Sequence, residues 1–260
     1  MGIITLTTDF GSVDAFVGTM KGVILGLSPG VTIVDLTHEI PRHGVATASF
    51  LIRHAFPYFP KGTIHVGIVD PGVGSRRRIL LARIREQFLL APDNGLITWL
   101  YRDFGAESLI SVEESRYFLP NPSATFHGRD VFAPVAAHLV AGARPERFGP
   151  NLNRAELLAI SHRAERTPAG LQGRVIHLDP FGNLVTNIHV SQLPAWAARS
   201  AQAVFVNGQN IGGIQCTFSA VALGTPAAMI GSADFLEIAV NQGRADERFG
   251  PVREVTVEIR

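Results

Sequence analysis

Residues 63–70 read "TIHVGIVD", a short run of mostly apolar and β-branched residues. Such a run predicts a strand buried on both faces, which is typical of parallel sheets. Two similar runs stand earlier in the chain, at 3–8 ("IITLTT") and 31–36 ("VTIVDL"). The segments between the three runs, 13–28 and 44–59, place apolar residues at helical spacing. This order of strand, helix, strand, helix, strand predicts a mostly parallel sheet flanked by helices.

Further elements follow in the same half of the chain. Residues 79–92 contain two strand-like runs, "ILLARI" and "QFLLAP", which predict a hairpin or two adjacent strands. Residues 95–104 and 130–143 carry helical patterns. These elements close the first predicted domain near residue 150.

The pattern changes in the second half. The polar stretch "RPERFGPNLNRAELL" is typical of a connector, and short strands with Gly and Asn turns follow it. These strands are "RVIHLD", "LVTNI", "AVFVNG", "FLEIAVN" and "REVTVEIR" (253–260). We therefore expect an N-terminal α/β domain over 1–155, a linker over 156–172 and a small C-terminal β-barrel domain over 173–260.

The composition excludes several classes of partner. Lys and Arg total 23 against 22 Asp and Glu, so the chain has no excess positive charge for nucleic acid. No apolar run approaches the roughly 20 residues that span a bilayer, and the start "MGIITLTTDFG" does not resemble a signal peptide. The single cysteine, Cys216, suits a reducing compartment. We expect a cytoplasmic protein with no membrane partner.

Polar residues follow the predicted strands at their carboxyl ends. Asp9 comes directly after the first strand, Asp70 ends the third, and His127 precedes a predicted helix. Ligands of open parallel sheets bind beyond the carboxyl ends of the strands, so these side chains are candidates for one site. Each residue also has a structural interpretation. "DPG" is a common turn, Asp9 or Ser12 can cap the next helix, and His127 can pack at a helix start.

Several familiar sites are missing from the sequence. There is no GxxxxGK[ST] and no GxGxxG at a strand-to-helix turn, and the one GxSxG match, "GLSPG" at 26–30, ends a helical pattern and is not a strand-to-helix elbow, so phosphate, dinucleotide and serine-hydrolase sites are poorly supported. The histidines do not match the spacing of a zinc helix. A metal hydrolase remains an alternative, with four residues as its ligands: Asp70, Asp93, His127 and Asp130.

Seven motifs, taken together, resemble one family. In chain order they are "TTDFG", "THEIP", "VDPGVGSRRR", "PDNGL", "TFHGRDVFAPVAAHL", "DPFGNLVTNI" and "GSADFLEIAVNQGRA". They are similar, nearly end to end, to the S-adenosyl-L-methionine (SAM) hydroxide adenosyltransferases. These are adenosine-forming SAM hydrolases, related to the bacterial fluorinase and chlorinase.

The resemblance implies an architecture and a catalytic set. The family has an N-terminal α/β domain and a C-terminal β-barrel, and it forms homotrimers with active sites between subunits. Its catalytic Asp, Arg and His match Asp70, Arg77 and His127. Among three consecutive arginines, Arg77 is chosen because the family's arginine stands seven residues after the aspartate.

The resemblance also implies residues that hold the substrate. The matching positions are Asp9, Asp14, Asp179, Phe181, Asn183 and Ser232. Asp9 matches the carboxylate that binds both ribose hydroxyls, and Asp14 and Asp179 match groups near the methionine ammonium. Phe181 and Asn183 match the adenine contacts, and Ser232 matches a ligand of the methionine carboxylate.

The implied reaction is hydrolysis of SAM to adenosine and L-methionine by in-line attack of an activated water on the ribose 5′ carbon. SAM is the substrate, and neither a cofactor nor a metal is implied. His127 and Gly128 stand where the halogenating relatives have a hydroxyl-bearing pair with the halide-binding serine, which favours water as the nucleophile. Two further functions are compatible with the motifs, a SAM-dependent halogenase and a module that binds SAM or adenosine without turnover.

Overall fold

The computed structural model describes residues 2–193, 203–250 and 255–260. They form two compact units, the first ending at Ala159 and the second beginning at Ile160. The first unit contains a six-stranded sheet and the second a nine-stranded sheet. Among the helices of the described ranges, none combines the length and the apolar character that crossing a bilayer requires.

The first unit alternates strands and helices. Its strands are β1 (Ile3–Thr8), β2 (Thr32–Thr37), β3 (Ile64–Ile68), β4 (Ile79–Ile84), β5 (Gln87–Pro92) and β6 (Ser108–Ser111). Its α-helices are α1 (Phe16–Leu27), α2 (Val45–Ala55), α3 (Thr98–Phe104) and α4 (Ala133–Val140). A π-helical turn, Gly128–Phe132, precedes α4, and 3-10 turns lie at Phe56–Tyr58, Ser115–Tyr117 and Pro145–Phe148.

The first sheet has the order β2-β1-β3-β5-β4-β6. The pairs β1/β2, β1/β3 and β3/β5 are parallel, whereas β4 is antiparallel to both of its neighbours. The predicted hairpin of β4 and β5 turns through Arg85 and Glu86, which both have positive φ. Two such residues form the hairpin turn whose twist matches that of the strands.

Helices cover both faces of this sheet. Along β4, Ile79 and Leu81 join a core cluster with residues of α1 and α4, whereas Leu80 and Ala82 join a second cluster with α2 and α3. Successive side chains of a strand point to opposite faces, so a continuous apolar run is needed when both faces are covered. The predicted mostly parallel α/β layer is thereby confirmed.

One buried histidine makes the stability of this unit depend on pH. His65 on β3 is fully buried, and its ring contacts Thr5 Oγ1 at 2.9 Å and Gln87 Oε1 at 2.8 Å. Burial lowers the pKa of His65 from 6.5 to about 4, against the opposing effect of the Gln87 hydrogen bond. The unfolded chain therefore binds a proton at a higher pH than the folded chain does.

We expect the stability contributed by neutral His65 to be complete above pH 6.5 and to disappear as the pH falls toward 4. The total loss is about 3 kcal/mol, because one pKa unit corresponds to about 1.4 kcal/mol. Urea unfolding of the wild type and His65→Gln between pH 7 and 4 measures it. The wild type should lose more free energy of unfolding over this range than the variant, and equal losses would contradict the assignment.

The second unit is dominated by strands. They are β7 (Glu165–Thr167), β8 (Gly170–Leu178), β9 (Leu184–His189), β10 (Val204–Val206), β11 (Gln209–Asn210), β12 (Ile214–Gln215), β13 (Pro226–Ile230), β14 (Phe235–Val240) and β15 (Thr256–Ile259). A short α-helix, α5 (Ala245–Phe249), follows β14, and 3-10 turns lie at Val190–Gln192 and Phe218–Ala220. The order is β11-β10-β15-β8-β9-β14-β13-β12, with β7 paired to β8.

This second sheet is strongly curled around its own core, and the predicted fold class is confirmed. The sequence patterns missed β13, because "PAAMI" has few β-branched residues and begins with proline, which a strand tolerates at its first residue. The predicted linker 156–172 contains β7 and the start of β8. Residues 253 and 254 of the predicted last strand lie outside the described residues.

Candidate active site

Asp70 lies directly beyond the carboxyl end of β3. The following residues form the turn that "DPG" predicts, with the Val73 N–H donating to the Asp70 carbonyl at 3.2 Å. The Asp70 side chain nevertheless points to Arg77, whose Nε donates to Oδ1 at 3.0 Å and to Oδ2 at 2.9 Å. Arg77 Nη2 also contacts Asp70 Oδ2. The side chains of both residues are almost fully buried, so a turn and a buried ion pair coexist here.

The adjacent arginines point in different directions. Arg78 Nε donates to Asp93 Oδ2 at 2.8 Å, and this pair does not involve Asp70. Arg77 packs near the Phe132 ring, 5.7 Å from its centroid. Among the contacts that the structure describes for the three arginines, those with Asp70 come from Arg77.

His127 lies immediately before the π-helical turn that leads into α4. Its Nδ1 is 3.0 Å from Arg77 Nη2. Because a guanidinium only donates hydrogen bonds, Nδ1 must accept this one, and the neutral ring therefore carries its proton on Nε2. A segment of π-helix often marks a functional position in a helix, and this one begins directly after His127.

The surroundings of His127 favour its neutral form. Partial burial lowers the pKa of the imidazole, and the positive charge of Arg77 lowers it further. The carboxylates Asp70 and Asp130 oppose this shift. The result is a neutral imidazole that offers an N–H at Nε2.

Asp70 and His127 line a cavity of about 370 Å³ in the first unit, which we call the first cavity. Asp9 also lines it, and Asp9 Oδ2 accepts a hydrogen bond from the His43 N–H at 3.1 Å. His43 has φ of 60°, an uncommon value for a side chain of this size. The structure therefore brings three of the candidate residues, Asp9, Asp70 and His127, to one cavity. Arg77 contacts two of them, Asp70 and His127.

Asp14 is placed differently. It is exposed, its Oδ1 accepts from the Ala15 N–H at 2.7 Å, and it is not among the residues that line the first cavity. Its role near a ligand ammonium remains a prediction.

The first cavity also has an aromatic wall that the sequence patterns did not indicate. Phe10 and Phe16 have ring centroids 5.8 Å apart, and the Phe126 ring lies 5.0 Å from that of Phe16. The sequence did not indicate this wall because Phe126 is distant from Phe10 and Phe16 along the chain. In addition, the polar residues of "DFG" and "TFHG" are the more obvious candidates for a site. Arg42 and His43 of the loop after "THEIP" also line the cavity.

The four residues of the metal alternative do not form one donor set. The Asp93 carboxylate is bound by Arg78 and by the Glu156 N–H, and the Asp130 carboxylate is bound by Arg129 and by the Ser123 N–H. Within the described ranges, no three or more His, Cys, Asp or Glu side chains are grouped so that they could hold a metal ion.

The second unit contains a cavity of about 590 Å³, which we call the second cavity. Three of the predicted substrate-binding residues, Asp179, Phe181 and Asn183, line it. Phe181 is 76% exposed, which is unusual for a phenylalanine and leaves one ring face open to a ligand. Ser232 is exposed and does not line this cavity.

The Asp179 carboxylate is occupied by its own turn. Oδ1 accepts from the N–H groups of Phe181 at 2.9 Å and Asn183 at 2.8 Å, and Oδ2 accepts from Asn183 Nδ2 at 2.8 Å. "DPFGN" therefore forms a tight turn between β8 and β9. This turn holds the Phe181 ring at the cavity.

Comparison with known proteins agrees with this description. The SAM hydroxide adenosyltransferase N-terminal domain matches residues 4–149, and the C-terminal domain of the same family matches residues 173–258. The chain is 36% identical to the (R)-S-adenosyl-L-methionine hydrolase of Thermus thermophilus over 94% of this chain and 93% of that protein. It is 30% identical to a fluorinase of an Actinoplanes species over 74% of this chain and 73% of that enzyme.

A solved structure gives the same result for the fold. A conserved protein of Thermotoga maritima superimposes with a TM-score of 0.92 at 34% identity, covering 99% of this chain and 100% of that one. The resemblance found in the seven motifs is confirmed, and the chain belongs to the SAM hydroxide adenosyltransferase family.

Proposed function

We propose that the protein hydrolyses SAM to adenosine and L-methionine. The observation that carries this proposal is the chain of contacts from Asp70 through Arg77 to His127 at the first cavity. The family membership and the similarity to curated SAM hydrolases over most of the chain support the substrate. SAM is the only small molecule required besides water.

The reaction requires an oxygen nucleophile behind the 5′ carbon of the ribose. Attack breaks the bond from this carbon to the sulfonium, and methionine leaves as a neutral thioether. Water has a pKa of about 15.7 in bulk, so a site without a metal must remove its proton while holding it in line. A carboxylate and an imidazole at one cavity suit this task.

We assign the proton to Asp70. His127 presents Nε2–H, because its Nδ1 accepts from Arg77. An N–H can orient the water oxygen, but it cannot accept the proton of the water. Asp70 then acts as the base, and Arg77 stabilises the negative charge that Asp70, the water and the developing hydroxide share.

Residues of the first unit of one subunit and of the second unit of the next subunit hold the substrate. Asp9 binds the ribose hydroxyls, since its Oδ2 has one backbone donor and its carboxylate lies at the first cavity. Phe181 and Asn183 bind the adenine from the second cavity, and Asp14, Asp179 and Ser232 face the methionine end. The protein works as a homotrimer in the cytoplasm, with active sites between subunits. We also propose the domain limits 1–155 and 173–260.

Gly128 favours water over halide as the nucleophile. A Cβ built at Gly128 would lie 3.1 Å from Phe126 Cε2, 3.2 Å from Met20 Sδ and 3.4 Å from Phe10 Cε2. A serine at 128 would therefore require these side chains to yield by a few tenths of an ångström. The hydroxyl-bearing pair of the halogenating relatives does not fit this packing without rearrangement.

Incubation of the protein with SAM, in the presence and absence of chloride or fluoride, tests the function. The expected products are adenosine and methionine at equal amounts, with no halogenated nucleoside. Dominant 5′-chloro-5′-deoxyadenosine would identify a halogenase. Tight SAM binding without adenosine over hours would identify a binding module, and activity lost with a chelator and restored by a divalent ion would identify a metal hydrolase.

A further inference from the structure

Glu237 lies in the second cavity and has no role in the reaction described above. It is on β14, where Met229 of β13 and Val185 of β9 are its register partners. The same cavity is lined by Asp179, Phe181, Asn183 and Phe218. A half-buried carboxyl group therefore stands among aromatic rings, in the cavity of the proposed adenine ligands.

The Glu237 carboxyl has no hydrogen-bond or ion-pair partner among the residues that the structure describes. Asp179 differs, because both of its carboxylate oxygens accept hydrogen bonds. Burial, together with the negative charge of Asp179, raises the pKa of Glu237 from 4.5 to about 7. Near neutral pH, much of the population therefore carries an O–H donor and a carbonyl acceptor on one group.

The position of this carboxyl is fixed by a glycine. A Cβ built at Gly231 would lie 1.8 Å from Glu237 Oε1 and 2.0 Å from its carboxyl carbon. The carboxyl group thus occupies the space that any other residue at 231 would fill. It packs directly against the main chain that follows β13.

We infer that Glu237 recognises the adenine base of the substrate, donating a hydrogen bond from its carboxylic O–H to a ring nitrogen and accepting one from the exocyclic amine. This inference rests on the proposed function and adds a residue that sets its base specificity. Each of the two hydrogen-bonding edges of adenine places the amine donor beside a ring-nitrogen acceptor, and a carboxylic acid matches that pair. A carboxamide has the same pattern and is the usual partner of adenine in base recognition.

The cavity offers apolar surface that suits a flat base. Phe181 is largely exposed and Phe218 is 44% exposed, so both offer apolar surface for stacking. Arg244 also lines the cavity, but its guanidinium is paired with Asp246. The neutral form of Glu237 is the one that burial favours, and it can donate to a base nitrogen.

Calorimetric titration of the full-length protein with two nucleosides tests this role. The nucleosides are adenosine and purine riboside, which lacks the exocyclic amine, and the titrations compare the wild type with two variants of Glu237. The wild type should bind adenosine about tenfold more tightly than purine riboside, since a buried acceptor left unpaired costs about 1–3 kcal/mol. Glu237→Leu should abolish this preference, and Glu237→Gln should retain it. Glu165→Gln, an exposed position on β7, is the matched control and should behave as the wild type.

The pH dependence provides a second readout. The charged groups that line the cavity with Glu237 are Asp179 and Arg244. His177 of β8 pairs with Val185 of β9, so β9 lies between His177 and Glu237. As the pH rises above 7, Glu237 loses its donor, so adenosine affinity should fall in the wild type and stay nearly constant in Glu237→Gln.

The inference is overturned if Glu237→Leu keeps the preference for adenosine. It is also overturned if Glu237→Gln loses adenosine affinity as severely as Glu237→Leu does, because that result would show that Glu237 acts as a charged carboxylate. If Glu237→Leu does not fold, the retained affinity and flat pH profile of Glu237→Gln decide the question. Product analysis of the wild type with SAM tests the proposed function separately, because it does not depend on Glu237.

Discussion

Replacement of Asp70 by asparagine is expected to lower kcat for SAM hydrolysis by about 10²- to 10⁴-fold, the usual contribution of a positioned acid or base. Asparagine keeps the size of the side chain and still accepts a hydrogen bond from Arg77, but it cannot take the proton of the water. Adenosine affinity should change little, because Asp70 is assigned to the nucleophile and not to the nucleoside. Single-turnover measurement of adenosine release, combined with calorimetric titration of adenosine, separates the two effects.

Asp93→Asn is the matched control for this variant. Asp93 also follows a strand, is buried and pairs with an arginine, so the two substitutions disturb similar ion pairs. Asp93→Asn should be destabilised yet retain the kcat of the folded protein. Asp9→Ala should instead raise KM, because Asp9 is assigned to the ribose. An unchanged kcat in Asp70→Asn would show that another group accepts the proton.

Replacement of His127 by alanine has the second large expected effect, a fall in kcat of about 10²-fold with adenosine binding retained. The variant removes the N–H that orients the water and leaves Arg77 Nη2 without its ring-nitrogen acceptor. Rates with SAM at neutral pH, in folded protein verified by circular dichroism, measure the loss.

His127→Asn distinguishes the two roles open to the imidazole. An asparagine amide can accept from Arg77 and donate to the water, so under our assignment it should recover part of the rate that alanine loses. If His127 instead removes the proton, asparagine should be as poor as alanine. Because burial and Arg77 lower the pKa of His127, the wild type should also keep its neutral ring at pH values somewhat below 6.5.

The first sheet was predictable because its strands are continuous apolar runs, which indicate that both faces of the sheet are covered. "IITLTT" and "TIHVGIVD" lack the alternation of apolar and polar residues that a strand with one solvent-exposed face shows. Predicted helices alternate with these strands along the chain. The patterns could not give the strand order, in which β5 rather than β4 pairs with β3. That choice depends on which pairing buries more surface in three dimensions, and no local pattern records it.

The candidate site was predictable in part. Position at a strand end predicted Asp9 and Asp70, whereas Arg77 could be selected among "RRR" only through the family resemblance, and the structure shows its contact with Asp70. Glu237 was not predicted, because a single acidic residue in "FLEIAVN" is typical of the polar member of an alternating strand. Its half-buried position depends on a contact outside this pattern, because the missing Cβ of Gly231 leaves room for its carboxyl group.

Hydrolysis of SAM in water enriched in ¹⁸O tests the central claim most directly. If Asp70 and His127 hold a water molecule behind the 5′ carbon, mass spectrometry should find one heavy oxygen in the 5′-hydroxyl of adenosine and none in methionine. Adenosine without the label, or a product in which another atom occupies the 5′ position, would contradict the account.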